Sequence, residues 1–120
     1  MQKLLLDEQR AQLLANGRAN AERVAQDGNT IDHKPVVKLF TPWGGCTWLL
    51  SELDPENPDI AFGLCDLGMG CPELGNVSLS EITSVRGPGG LAIERDEHFT
   101  ATHTLMEYAD EARRHSRIMV

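Results

Sequence analysis

Leu6, Leu13, Leu14, Gly17, Ala21 and Val24 recur at three- and four-residue spacings, while Asp7, Arg10, Arg18 and Glu22 fall elsewhere. That period predicts an amphipathic helix over residues 5–25. Asn16-Gly17 is its weak point. Glycine costs about 1 kcal/mol relative to alanine inside a helix, so the helix can break there into two pieces. The turn residues of "QDGNTIDHKP" close it.

The pattern then changes period. "VVKLFT", Val36 to Thr41, and "CTWLLSEL", Cys46 to Leu53, flank the turn "PWGG" and predict a hairpin. Alternation along the second strand puts Trp48, Leu50 and Glu52 on one face, and Thr47, Leu49, Ser51 and Leu53 on the other. "DPENPD" reads as a polar loop. "IAFGLCD", Ile60 to Asp66, is a third strand, and its nearly continuous apolar run predicts burial on both faces.

"NVSLSEITSV" joins a short strand to a short helix. Ser78 and Glu81 have capping-box spacing, so the helix starts near Leu79. "RGPGG" ends it, with Gly87 as a left-handed cap and Pro88 blocking continuation. "LAIERD" resumes an extended path. Thr104 and Glu107 repeat the capping-box pattern before a helix over 104–114. Its apolar stripe is Leu105, Tyr108, Ala109 and Ala112, and "ARRHSR" sets cations near its C-terminus. The fold class is α+β: a small antiparallel β-sheet with an N-terminal helix, a short middle helix and a C-terminal helix, in a single domain over residues 1–120.

Composition adds that only 5% of residues are aromatic, so the core rests on Leu, Val, Ile and Ala. No apolar run has the length of a membrane span, and the apolar stretch in "MQKLLLDEQR" is too short for a signal peptide. A soluble, cytoplasmic protein without a membrane partner is the expectation. Cys46, Cys65 and Cys71 make an odd count, which argues for reduced thiols rather than a disulfide framework.

Charge is unevenly placed. The net charge is −7, yet residues 39–85 carry Glu52, Asp54, Glu56, Asp59, Asp66, Glu73 and Glu81 with no lysine or arginine. Several of these acids are expected to share an exposed surface near Asp54–Asp59. Such a field repels nucleic-acid backbones and attracts a basic protein partner, so no direct nucleic-acid binding is expected.

Candidate chemistry is sparse. In "GLCDLGMGCPELG" the two cysteines are five residues apart, without the paired short spacings of a zinc site or the C-x-x-C of a redox pair. The glycines lack the following helix of a phosphate cradle, and Glu73 would oppose an anion. The stretch reads as a bend between strands, with no metal or cofactor expected. Glu52 and Asp54, two apart, could hold a hard cation weakly or form a charged strand edge. A Cys–His pair could be assembled, but nothing in the spacing selects one. Arg86 and Arg95, in "SVRGPGGLAIERDEHF", either brace a bend or offer a fork to a carboxylate. Trp43 at the hairpin tip, with Trp48, is a candidate contact. The binding candidates are thus Trp43, Trp48, Glu52, Asp54, Glu56, Glu73, Arg86 and Arg95, with no catalytic residue assigned.

"TWLLSELDPENPDIAFGLCDLGMG", "PELGNVSLSEITSVRGPGGLAIERDEHF" and "YADEARRHSRI" resemble the domain of unknown function 2958 family, small bacterial proteins often carried by plasmids, integrated elements and phages. Trp43, Cys46, Cys71, Asn76 and Ala92 depart from that family's pattern. The resemblance implies an accessory protein of a mobile genetic element, and it carries over no activity. The function expected is therefore a non-enzymatic binding or regulatory protein presenting an acidic surface to a basic partner, with counter-defence as one form. The alternative is a small hydrolase-like enzyme, metal-assisted or not, using Glu52, Asp54, Glu73 or a Cys–His pair.

Overall fold

The computed structural model describes residues 3–120. The helix α1 spans Asp7–Asp27, followed by strands β1 (Val37–Phe40), β2 (Thr47–Asp54), β3 (Asn57–Asp66) and β4 (Glu73–Ser78). The short helix α2 (Leu79–Ser84), a 3-10 turn at Pro88–Gly90, the two-residue strand β5 (Glu94–Arg95) and helix α3 (Leu105–His115) complete the order. The five strands form one antiparallel sheet in the order β4-β3-β2-β1-β5. The expected α+β class holds, and β1 and β2 are hairpin neighbours.

Apolar side chains cover both faces of the sheet, as the unbroken run in β3 predicts. On one face Trp48, Leu50, Leu53 and Ala61 pack with Leu13 of α1 and with Leu79 and Ile82 of α2. On the other, Leu49 and Leu64 pack with Leu105, Tyr108, Ala109 and Ala112 of α3. Each such buried leucine contributes on the order of 1.5–3 kcal/mol. Thr104 and Glu107 form the expected capping box of α3: the Glu107 amide donates to Thr104 Oγ1 at 3.3 Å, and the Thr104 amide donates to Glu107 Oε1 at 2.9 Å.

Four local expectations are corrected. First, α1 runs unbroken through Asn16-Gly17. A Cβ at Gly17 would lie 1.8 Å from the Leu53 carbonyl oxygen, so the glycine serves close helix–strand approach rather than a break. The buried residues of α1 are Leu13, Asn16, Gly17 and Asn20, while Leu6, Ala21 and Val24 are exposed.

Second, strict alternation fails in β2. Leu50 pairs with Gly63 but Glu52 pairs with Phe62, which leaves Ser51 as an extra residue in a β-bulge. The bulge reverses the faces beyond it. Leu53 therefore joins Trp48 and Leu50 in the core under α1, and Glu52 shares the face of its partner Phe62.

Third, "DPENPD" is not a long loop. Asp54 pairs with Asn57 across Pro55-Glu56, and Pro58–Ile60 bulge out before pairing with β2 resumes at Ala61. Fourth, Gly87 is not a left-handed cap: its φ is −101°, and the left-handed residues are Gly89 and Gly90. A Cβ at Gly87 would lie 2.3 Å from the Trp43 ring, so the position is reserved for that ring.

Candidate functional site

β1 stops at Val37 while β2 continues to Asp54, which leaves the outer edge of β2 without a strand partner beyond Leu50. Helix α1 lies along that gap. Asn16 Nδ2 donates to the Ser51 carbonyl at 2.9 Å. Asn20 Oδ1 accepts from the Ile31 amide at 2.5 Å, and its Nδ2 donates to the Ile31 carbonyl at 3.3 Å. Asn20 Nδ2 also donates to Glu52 Oε2. Burial raises the Glu52 carboxyl above its usual 4.5, against the lowering effects of the Asn20 bond and the charge of His33.

The eight sequence candidates scatter. Trp43 and Trp48 come together. The expectation of an exposed Trp43 at a hairpin tip is corrected: the ring is half-buried and packs against the core, because Gly87 leaves room for it. Trp43, Trp48, Val77, Ile82, Val85 and Ile93 line a largely apolar cavity of about 480 Å³, with Asn76, Ser78 and Glu81 among its polar lining.

The acids do not form one surface. Asp54 and Glu56 lie at the β2–β3 turn, where Asp54 Oδ1 accepts the Glu56 amide at 2.9 Å. Glu73 pairs with Cys65, whose β2 partner Trp48 stands roughly 20 Å along the strand from Asp54 at about 3.4 Å per residue. Asp66 is buried and structural, accepting the Gly68 amide at 2.9 Å and the Ile118 amide at 3.0 Å. Asp59 binds the start of α2 by accepting from the Ser80 amide and from both the Ser78 and Ser80 hydroxyls. Those hydroxyls, Ser78 first, hold its carboxyl below the usual carboxylate range. Glu52 and Asp54 do line one cavity of about 240 Å³.

The arginines brace the fold. Arg86 donates to the Thr83 and Val85 carbonyls at 2.6 and 2.8 Å, closing the C-terminus of α2. Arg95 is buried, donates to the Lys3 carbonyl and stands 3.9 Å from Glu97. "GLCDLGMGCPELG" is the connection between β3 and β4, turned through Gly68 and Gly70. Burial pushes the Cys65 thiol up to about 11. Among the described residues no group of three or more His, Cys, Asp or Glu could hold a metal ion, and no helix is long and apolar enough to cross a membrane.

His33 was missed in the sequence. It faces Glu52 across a second cavity, of about 380 Å³, and its Nε2 is buried without a hydrogen-bond partner among the described residues. No spacing rule could link positions 33 and 52; only the fold joins them.

A family model described as "Protein of unknown function (DUF2958)" matches residues 4–119. The chain belongs to this family. No curated protein and no solved structure matches it. The match spans nearly all of the described fold, including both tryptophans, α2 and the Glu52–His33 cavity.

Proposed function

We propose that this DUF2958 protein is a non-enzymatic binding protein that receives an apolar anchor from a basic protein partner. The observation that carries this reading is the convergence of Trp43 and Trp48 with Ile82, Val85 and Ile93 in one groove beside Glu81. Aromatic side chains offer large contact area with few rotatable bonds, which is why they dominate binding hot spots. The groove also borders β4, the last strand of the sheet. An extended partner segment could pair along that edge while its anchor enters the groove. Glu81 and the net charge of −7 favour basic residues flanking the anchor. An accessory role on a mobile genetic element, with counter-defence as one form, follows from the family resemblance and the same partner chemistry.

The test is copurification from the native host with four versions of the protein. Wild type and the Asp54→Lys/Glu56→Lys double variant, altered away from the groove, should recover the same basic protein. Val85→Asp and Glu81→Lys should lose it. The association rate should fall as salt is added. Equal recovery with Val85→Asp would sink the reading.

A further inference from the structure

A second site, unconnected with the tryptophan groove, lies between α1, the connector that follows it, the β2 bulge and the start of α3. Its cavity, about 380 Å³, is large enough for a one- or two-ring molecule. Ile31, Phe62, Leu105 and Met106 give it apolar walls. Asn20, Thr30, Asp32 and Ser51 also line it, together with two further polar groups on which the site turns. One is the Glu52 carboxyl, held in place by Asn20. The other is His33, whose Nε2 has no protein partner among the described residues although it is buried.

Both groups are costly where they stand. An unsatisfied buried ring nitrogen loses its hydration without compensation. A carboxyl brought to the cavity by a bulge is likewise partly desolvated. Neither is needed to fill space, since an apolar residue would pack there more cheaply. A ligand that pairs with both removes the cost.

We propose that this cavity binds an amino-substituted nitrogen heterocycle, whose amino group donates to Glu52 while an adjacent ring nitrogen accepts from His33 Nε2–H. Phe62 and Met106 supply apolar contact to the ring. The donor–acceptor order of such an edge matches the two groups. An edge whose amino group is dimethylated has no donor left for Glu52 and can pair only with His33.

Protein-observed NMR titration tests this with cytosine and adenine as probes, and N4,N4-dimethylcytosine and N6,N6-dimethyladenine as controls that lack the amino donor. Cytosine and adenine should shift the His33 ring proton and the amides of Ile31, Glu52 and Phe62 in the millimolar range or below. The dimethylated controls should bind roughly tenfold more weakly, as expected when one charge-assisted hydrogen bond is lost. Glu52→Gln should weaken cytosine by a similar factor without changing the far-ultraviolet circular dichroism. The comparison between bases on wild type needs no variant, so it stands even if Glu52→Gln folds poorly. No cavity shift with either amino base, or dimethylcytosine binding as tightly as cytosine, would overturn the proposal.

Discussion

Gly17 of α1 lies so close to Leu53 of β2 that a single added methyl group would sit 1.8 Å from the Leu53 carbonyl oxygen. The helix therefore cannot carry any side chain at that position without moving off the strand edge. Gly17→Ala should destabilise the protein by about 2–4 kcal/mol despite the better helix propensity of alanine. Gly75→Ala is the control, because a Cβ there meets nothing within 4 Å. Its effect should stay below about 1 kcal/mol. Urea unfolding of both variants measures the difference, and equal midpoints would refute the close-packing account.

Glu52 sets a pH dependence of unusual sign for an acid. Its folded value is raised above 4.5 by burial, so the folded state holds that proton more tightly than the unfolded chain. This contribution to stability is present at low pH and is lost as pH rises from about 4.5 through the folded value. Glu52→Gln should flatten that part of the profile and be no less stable than wild type at pH 7. Thermal melts across pH 4 to 8 would show it; a wild-type profile that rises with Glu52 ionisation would contradict the assignment.

Asp59 acts in the opposite direction. Its folded value lies below 3.8 because Ser78 and Ser80 donate to it. Its contribution is present above about pH 3.8 and is lost as pH falls through the folded value. Asp59→Asn should loosen the start of α2, seen as faster amide exchange at Ser80 and Glu81, and should remove part of the acid-induced destabilisation. Unchanged exchange at those amides would separate Asp59 from the helix cap.

The thiols should react in a fixed order. Cys71 is exposed, whereas Cys65 is half-buried beside Trp48 and its thiol is pushed up to about 11. The thiolate is the reacting form, so alkylation by iodoacetamide at pH 8 should label Cys71 first and Cys65 last. Peptide mass mapping over time would reveal the order, and early labelling of Cys65 would show that β3 opens readily.

The sequence by itself determined the elements whose signals are local. Ser78 and Thr104 begin helices because each offers an oxygen to an amide three residues on, and both helices start where that spacing places them. The β1–β2 hairpin and the two-sided burial of β3 follow from period-two and continuous apolar runs. Family membership was likewise carried by contiguous motifs. Tertiary structure decided what those periods could not encode. Hydropathy counts Asn16 and Asn20 as polar, yet both are buried: Asn16 donates to the Ser51 carbonyl that the early end of β1 leaves open on β2, and Asn20 bonds the Ile31 backbone and the Glu52 carboxyl. The bulge at Ser51 reverses the faces of Glu52 and Leu53, a shift that alternation cannot foresee because it arises from pairing with Phe62. The acidic segment, continuous in sequence, is spread along about 20 Å of strand from Asp54 to the level of Glu73, since extended backbone advances about 3.4 Å per residue. His33 and Glu52 meet only because α1 holds the connector and the bulge at once through one amide, that of Asn20.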